Sequence, residues 1–295
     1  MSPSAARDGS PPHAREVDLE RQVTSLSRAV DELSRLARDT QDRLQSVEAE
    51  LRSRQDSGGG SSDAGGWGPR FAAVYADFTE HFRGSTTEVT AKLEGYLPDV
   101  HRLAGPGGVV DLGCGRGEWL TLLREAGVAA RGVDANAAFV AAGRARGLEM
   151  ELGDARGYLQ ALPPDSVDVV TAFHVIEHLA TEELLALLEA AREALRPGGC
   201  LVLETPNPTN LVMAACDFYN DPTHRSPLPP ALTEYLVSAQ GFGDVEVRPL
   251  HPKDPPLVPT GGADTCARVQ ELVTQTLFGP QDYAVLGYKL PAEGR

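Results

Sequence analysis

Hydrophobic positions follow two different periods along this chain. From Leu19 to Leu51 they recur in alternating steps of four and three, with Glu, Arg and Asp filling the outward positions. A repeat of about 3.5 residues sustained in this way predicts a coiled coil over residues 17–55. The alternative is one amphipathic helix that packs on its own domain. We expect the segment to pair with a second copy of the chain, which makes a homo-oligomer.

The segments on either side of this repeat lack a hydrophobic pattern. Residues 1–16 are small, polar and proline-containing, which predicts disorder. Residues 56–66 read Asp-Ser-Gly-Gly-Gly-Ser-Ser-Asp-Ala-Gly-Gly, a composition typical of a flexible linker. The remaining residues, 67–295, are predicted to form one domain.

In that domain short apolar runs alternate with amphipathic stretches, which predicts an α/β fold with a doubly wound, mostly parallel, seven-stranded Rossmann-like sheet. The predicted strands are Gly108–Leu112, Ala130–Val133, Glu149–Leu152, Val167–Ala172, Cys200–Glu204, Asp244–Arg248 and Tyr283–Lys289. Helices are predicted at residues 70–82, 86–103, 116–127, 136–146, 181–195 and 230–239.

A glycine-rich turn follows the first predicted strand. It reads Asp111-Leu112-Gly113-Cys114-Gly115-Arg116-Gly117 and leads into a predicted helix. Such a turn brings backbone N–H groups close to an anionic or polar ligand. Its spacing differs from the G-x-G-x-x-G of nicotinamide-binding loops, and the acid at the strand end suits a ligand with a cationic amino group.

Two more acids end the next two predicted strands. Asp134 follows Val133 and can accept hydrogen bonds from a ribose diol, and Asp154 can accept one from an exocyclic amine. The alternative is that the acids are solvated loop residues and helix caps. Three acids at the carboxyl ends of three successive strands favour a nucleoside-containing ligand.

The segment from Val109 to Glu204, including the Leu195-Arg196-Pro197-Gly198-Gly199 turn, resembles class I S-adenosylmethionine-dependent methyltransferases. The resemblance covers at least residues 75–295. It implies that S-adenosyl-L-methionine is the cofactor. The implied contacts are Asp111, Gly113, Cys114 and Gly115 on the methionyl end, Asp134 and Ala135 on the ribose, and Asp154 and Ala155 on the adenine, with Phe173 and His174 bordering them.

The stretch Phe82-Arg83-Gly84-Ser85 resembles a loop that covers the cofactor in one subgroup of this family. In that case Arg83 meets the methionyl carboxylate. The alternative is a plain arginine at a helix end.

Acceptor chemistry is predicted at the end of the fourth strand. His174, Glu177 and His178 form an H-x-x-E-H cluster, which lies on one face if the segment is helical, and His224 is a distant fourth member. The histidines can act as general base. The spacing also resembles the E-x-x-E-H metal site, with a distant His, of methyltransferases that act on RNA ends or quinones, and this resemblance suggests Mg²⁺ or Mn²⁺. The chain departs from that pattern by having His at the first position, which argues against the metal. The third alternative is a purely structural role.

Three further stretches resemble bacterial O-antigen and polysaccharide methyltransferases, as does the coiled coil. They are Glu204–Pro208, Phe218–His224 and Gly279–Tyr283. The resemblance implies transfer of a methyl group to a hydroxyl of a sugar, glycan or glycosylated metabolite, in a pocket built by residues 205–230. The alternatives are a non-sugar secondary metabolite as acceptor, or a coiled-coil scaffold with a non-catalytic methyltransferase fold.

Composition narrows the partners and the location. The net charge of −15 argues against nucleic acid, which is bound mainly through Lys and Arg. Four scattered cysteines have no metal-ligand spacing, as expected for reduced thiols in the cytoplasm. No run reaches the roughly 18 apolar residues of a membrane span. We expect a cytoplasmic protein; peripheral membrane association stays open.

Overall fold

A computed structural model describes residues 82–254 and 264–291, with side chains given from Glu271 onward in the second range. The predicted disordered segment, coiled coil and linker lie outside the described residues, as does the helix predicted at 70–82 apart from its last residue. Described residues 82–254 and 270–291 belong to one compact unit, here the first unit. The described part of the first unit carries the sheet and the candidate site.

The sheet has seven strands in the order β3-β2-β1-β4-β5-β7-β6. Strands β1 to β5 pair in parallel, whereas β7 runs antiparallel to both β5 and β6. The predicted seven-stranded, mostly parallel sheet is thereby confirmed. The strands are β1 Val109–Leu112, β2 Ala130–Asp134, β3 Met150–Leu152, β4 Val167–Phe173, β5 Leu195–Pro206, β6 Phe242–Pro252 and β7 Pro280–Lys289.

Helices connect these strands and flank the sheet. Within the described residues they are α1 Thr86–Leu93, α2 Leu97–Leu103, α3 Glu118–Glu125, α4 Ala137–Ala145, α5 Ala155–Gln160, α6 Thr181–Ala194, α7 Leu211–Ala215, α8 Pro230–Ala239 and α9 Asp264–Phe278. Short 3₁₀ helices occur at Glu94–Tyr96, Ile176–His178 and Asp217–Asn220.

The helix predicted over 86–103 is two helices with a 3₁₀ turn between them. Pro98 lies in the first turn of α2. Because proline has no N–H, it cannot donate the helical hydrogen bond to the carbonyl of residue 94, and the helix is interrupted there. At the other end of the fold, α6 stops at Ala194, immediately before the predicted Arg196-Pro197-Gly198-Gly199 turn. Helices α7 and α9 were not predicted; α7 is a five-residue helix whose N-terminus is capped by the Asn210 side chain.

Alternate residues of the central strands feed two cores, one on each face of the sheet. Val110, Val170 and Leu201 pack with helix α6 on one face, while Val109, Val169 and Val202 pack with Trp119 and Leu123 on the other. Strand β4 is buried along its whole length, as expected for a central parallel strand. Because each large apolar side chain contributes roughly 1.5–3 kcal/mol when buried, these two cores fix the strand ends that carry the site.

None of the helices in the described ranges is both long and apolar enough to cross a membrane.

Candidate active site

The glycine-rich turn between β1 and α3 depends on three left-handed residues. Gly113, Gly115 and Gly117 have φ values of 63°, 53° and 78°. A side chain at Gly113 would also collide, since its Cβ would lie 2.6 Å from Val175 Cγ2. The turn therefore requires glycine both for its backbone angles and for its close approach to the end of β4.

Asp134 holds this turn in place from the end of β2. Its Oδ2 accepts a hydrogen bond from the Gly115 amide at 2.7 Å, and its Oδ1 accepts one from the Asn136 amide at 2.7 Å. Burial raises the pKa of Asp134, and the two amide hydrogen bonds oppose that rise. The predicted ribose-binding acid thus also organises the loop that precedes helix α3.

Asp111 lies at the bottom of the site. Only 2% of the residue is exposed, and its Oδ1 accepts a hydrogen bond from Thr171 Oγ1 at 2.7 Å. Burial raises its pKa to about 7, against the lowering effects of the Thr171 hydrogen bond and the Arg83 charge. A buried carboxyl with this pKa is poised to ionise when a cationic group binds beside it.

Arg83 spans the mouth of the turn. Its guanidinium donates to the Phe173 carbonyl at 3.0 Å, and Arg116 donates to the Gly84 carbonyl at 3.0 Å. These two bonds tie the segment before α1 to the ends of β1 and β4. Arg83 also lines the cavity described below, as expected for a residue that covers a ligand.

The predicted adenine-binding residues lie apart from that cavity's lining. Asp154 is exposed and caps helix α5, its Oδ1 accepting from the Gly157 amide at 2.8 Å. Ala155 begins the same helix, and Ala135 is an exposed residue just after β2. Ala135 follows the carboxyl end of β2, and Asp154 and Ala155 follow that of β3, the edge where ligands bind in such sheets.

One cavity of about 620 Å³ connects the glycine-rich turn with the predicted acceptor residues. Near the turn it is lined by Arg83, Asp111, Gly113, Cys114 and Phe173, and on the acceptor side by His174, His178, Asp221 and His224. Two further polar side chains of segment 205–230 are less enclosed: Tyr219 is 46% exposed, and Arg225 pairs with Glu183 at 3.3 Å.

Glu177, His178 and His224, three of the four residues of the predicted acceptor cluster, lie close together. Potential ligand atoms of these residues lie within 4.8 Å of one another, and the two imidazole rings are 4.7 Å apart between centroids. Glu177 is fully buried: its Oε2 accepts from Thr205 Oγ1 at 2.9 Å, whereas its Oε1 has no hydrogen-bond partner in the described part of the chain. We call these three residues the histidine cluster.

Hydrogen bonds on Nδ1 orient both rings of the histidine cluster. His224 Nδ1 lies 2.6 Å from the Phe218 carbonyl oxygen, which can only accept, so Nδ1 carries the proton. His178 Nδ1 lies 2.9 Å from Thr223 Oγ1, whose own hydrogen goes to Asp221 Oδ1 at 2.6 Å. Each neutral ring therefore presents an unprotonated Nε2. Burial lowers the pKa of His224, which favours this neutral form.

His174 belongs to a different group, although it directly precedes the 3₁₀ turn that carries Glu177 and His178. It has a φ of 55°, so the H-x-x-E-H segment is not one helical face. Its Nδ1 lies 3.3 Å from Glu177 Oε1 and its Nε2 lies 3.4 Å from Glu204 Oε1. Burial lowers the pKa of His174, but the contacts with these two carboxylates outweigh it and raise the pKa to about 10.

On its other side, His174 meets a group of residues that the sequence did not indicate as functional. Glu204 on β5, His251 on β6 and Asp282 on β7 line the same cavity. His251 Nδ1 lies 3.0 Å from Asp282 Oδ2, and Tyr96 donates its hydroxyl to Glu204 Oε2. We call Glu204, Asp282, His174 and His251 the carboxylate cluster. The available signals were Glu204, an acid that ends a predicted apolar strand, and the stretch Gly279–Tyr283, which contains Asp282.

The fold and the site together define a class of protein. A Rossmann-like sheet with an antiparallel seventh strand and an acid–glycine turn after β1 is the architecture of class I methyltransferases. A model of the family described as "Methyltransferase domain" matches residues 87–246, which is more than half of the chain. The chain belongs to this family, and the domain is that of an S-adenosylmethionine-dependent methyltransferase.

Individual relatives agree with this assignment. A crystal structure of an S-adenosylmethionine-dependent methyltransferase from Archaeoglobus fulgidus is 34% identical, with a TM-score of 0.66, over 73% of this chain and 99% of that one. A ubiquinone biosynthesis O-methyltransferase of Cupriavidus pinatubonensis is 32% identical over 38% of this chain and 46% of its own. A trans-aconitate 2-methyltransferase of Methylobacterium nodulans is 31% identical over 52% of each chain. The chain spans about half the length of the curated relatives it matches.

Proposed function

We propose that this protein transfers the methyl group of S-adenosylmethionine to a hydroxyl of a sugar, a glycan or a glycosylated metabolite. The observation that carries the proposal is the single cavity that joins Asp111 and the glycine-rich turn to the histidine cluster. Methyl transfer needs the acceptor, the methyl carbon and the sulfonium in line, so cofactor and acceptor sites must open into one space.

Cofactor binding is assigned to the ends of the first four strands. Asp111 would pair with the methionyl ammonium, and the backbone of Gly113, Cys114 and Gly115 would line the same end. Asp134 and Ala135 would meet the ribose, and Asp154 and Ala155 the adenine. Phe173 and His174 would border the cofactor, with Arg83 over the methionyl carboxylate.

His224 is the proposed general base. A sugar hydroxyl is a poor acid, so its proton must leave as the carbon–oxygen bond forms. The lone pair on His224 Nε2 would take that proton while the sulfur–methyl bond breaks, which leaves S-adenosylhomocysteine and a methyl ether. Glu177 Oε1 and Asp221 Oδ2, at 3.8 and 4.0 Å from Nε2, would stabilise the imidazolium. His178 is the second candidate for the same role.

The histidine cluster also fits a divalent metal ion. Glu177 Oε1 is buried without a hydrogen-bond partner among the described residues, and both histidines present an unprotonated Nε2. One carboxylate with two imidazoles suits Mn²⁺ better than Mg²⁺, which prefers oxygen ligands. An ion held by Glu177, His178 and His224 would supply a Lewis acid that lowers the pKa of an acceptor hydroxyl. His174 Nδ1 lies 3.3 Å from the same Glu177 oxygen and would compete with the ion for it.

The sugar acceptor rests on the resemblance of Glu204–Pro208, Phe218–His224 and Gly279–Tyr283 to polysaccharide methyltransferases. The two named relatives act, by their names, in ubiquinone biosynthesis and on trans-aconitate. A small secondary metabolite is therefore the second candidate acceptor. A non-catalytic scaffold is less well supported, because a domain without catalysis has no need of the histidine cluster beside an intact Asp111–Gly115 turn.

A methyl-transfer screen with labelled S-adenosylmethionine tests the proposal. The acceptors are nucleotide-sugars, glycolipids and glycosylated metabolites, with phenols, amines and tricarboxylates as separate arms. Transfer to a sugar hydroxyl is the expected result. Transfer confined to a phenol, an amine or a carboxylate would overturn the sugar assignment, and failure to bind S-adenosylmethionine at high micromolar concentration would overturn the enzyme assignment.

A further inference from the structure

We propose that the carboxylate cluster is a subsite that binds two adjacent hydroxyl groups of the acceptor. The inference rests on the proposed function, since it names the part of the acceptor that this wall of the cavity recognises. It is carried by Glu204 and Asp282, which lie on neighbouring strands β5 and β7 and both line the cavity.

Two carboxylate oxygens in the cluster are available to accept hydrogen bonds. The nearest imidazole nitrogens to Glu204 Oε1 are His174 Nε2 at 3.4 Å and His251 Nδ1 at 3.8 Å, and Asp282 Oδ1 is 3.9 Å from His174 Nε2. All three distances exceed the usual N–H···O range. The second oxygens, by contrast, are engaged: Glu204 Oε2 by Tyr96 and Asp282 Oδ2 by His251.

The spacing of these groups suits two donors on neighbouring atoms of one ligand. Potential ligand atoms of His174, Glu204 and Asp282 lie within 4.8 Å of one another. The side chains of Glu204 and Asp282 are 3% and 5% exposed. A ligand hydroxyl that reaches them therefore gives up its hydrogen bond to water and donates to a carboxylate oxygen that is shielded from water. Such hydrogen bonds to charged groups are among the stronger ones in proteins.

At the same wall of the cavity, the Gln281 side chain has an oxygen that lacks a hydrogen-bond donor among the described residues. Gln281 is 5% exposed and lines the cavity beside Asp282. Its Nε2 donates to the Gly279 carbonyl at 2.7 Å, which sets the orientation of the amide, and its Oε1 is buried without a hydrogen-bond partner in the described ranges. A buried amide oxygen left in this state is costly, and a ligand hydroxyl would satisfy it.

The charge of the cluster favours a neutral donor over an ion. Lys92 Nζ lies 3.6 Å from Asp282 Oδ2, and His174 and His251 face both carboxylates. Because cationic side chains already surround the two acids, a metal ion placed there would face Lys92 at close range. An anionic acceptor group would face Glu204 and Asp282 instead. Hydroxyl groups meet neither repulsion.

The test measures binding to the full-length protein saturated with S-adenosylhomocysteine, so that no turnover is needed. The probes are methyl glycosides of glucose, galactose, mannose and rhamnose, each paired with a deoxy analogue that lacks one of two adjacent hydroxyls. We expect at least one glycoside to bind by saturation-transfer NMR, and its deoxy analogue to bind about tenfold more weakly or less.

Glu204→Gln and Asp282→Asn should each weaken binding of that glycoside by about tenfold or more. Asp165→Asn is the charge-matched control: Asp165 pairs with Lys289 at the surface and has a φ of 58°, which asparagine tolerates. Unchanged thermal unfolding and unchanged S-adenosylhomocysteine binding establish that each variant is folded.

Three results would overturn the subsite: equal binding of the glycoside by both variants and wild type, binding of no glycoside at all, or Mn²⁺ binding that Asp282→Asn removes and His178→Ala keeps. The methyl-transfer screen reports separately on the proposed function. A hydroxyl acceptor methylated equally by wild type, Glu204→Gln and Asp282→Asn would leave the reaction standing and remove the subsite.

Discussion

The imidazole rings of His178 and His224 lie 4.7 Å apart, although one follows β4 and the other follows the 3₁₀ turn after α7. Thr223 holds the first ring through Nδ1 and the Phe218 carbonyl holds the second. One short segment thus orients both rings, and each ring offers a ligand atom within 4.8 Å of one from the buried Glu177 carboxylate. This is the arrangement expected where a proton or a metal ion has to be positioned precisely.

Replacing the proposed base should slow chemistry and leave cofactor binding intact. We expect His224→Ala to lower kcat by about 10²- to 10⁴-fold, the usual contribution of a general base. The Kd for S-adenosylmethionine, measured by calorimetry, should change by less than about twofold, because His224 lies on the acceptor side of the cavity. Full turnover by both His224→Ala and His178→Ala on the true acceptor would show that neither ring takes the proton.

Removing divalent ions tests the alternative role of the histidine cluster. If His224 acts as base by itself, dialysis against EDTA should leave kcat within about twofold, and added Mg²⁺ or Mn²⁺ should not raise it. Loss of activity that Mn²⁺ restores would assign the cluster to a metal instead. Electron paramagnetic resonance of Mn²⁺ with wild type and Glu177→Gln gives a readout independent of turnover, since the carboxylate is the ligand that variant weakens.

Local patterns in the sequence mark the proposed cofactor side of the site, whereas part of the acceptor side has no such pattern. Asp111, Gly113 and Asp134 are recognisable because a strand, a glycine-rich turn and an acid follow one another within a short segment, where local backbone geometry dictates the residue types. Glu204, His251 and Asp282 belong to three strands, and only their pairing through β7 brings them together. Nothing local marks such residues, because the constraint on them is tertiary.

His174 illustrates the same limit. Its spacing from Glu177 and His178 predicted one shared face, but a left-handed backbone at His174 turns its ring towards β5. The prediction of one continuous helix over 86–103 was wrong for a reason that is visible in the sequence, since Pro98 interrupts the helix.

The acids at the ends of β2 and β3 should differ in what they support. Asp134→Ala removes the hydrogen bonds to Gly115 and Asn136, so we expect a loss of S-adenosylmethionine affinity of about tenfold or more together with lower stability.

Asp154→Ala removes a helix cap, which costs about 1 kcal/mol of folding stability. If Asp154 also binds the adenine amine, its variant should weaken S-adenosylmethionine binding more than the binding of an inosine analogue that lacks the amine. Equal losses for both ligands would leave Asp154 as a cap alone.

Residues 17–55 should determine the assembly state. Deleting residues 1–55 is expected to convert a homo-oligomer into a monomer, because the heptad pattern from Leu19 to Leu51 would be removed with them. Light scattering of the two proteins measures the mass directly. An unchanged number of chains per particle would place the oligomer contact elsewhere, or show that the full-length protein is itself a monomer.

Cofactor affinity should depend on pH through Asp111. Burial raises its pKa to about 7 in the free protein, so the carboxyl is mostly neutral below that pH. A cationic methionyl ammonium binds the carboxylate form, and we therefore expect the Kd to rise by up to about tenfold per pH unit below 7. Above about pH 8 the α-amino group itself loses its proton, so affinity should be highest between these values.

Calorimetry near pH 7 in two buffers of different ionisation enthalpy should detect proton release on binding. Asp111→Asn should bind weakly and without the acid limb, and a wild-type Kd that stays constant from about pH 5.5 to 7.5 would show that Asp111 does not meet the ammonium.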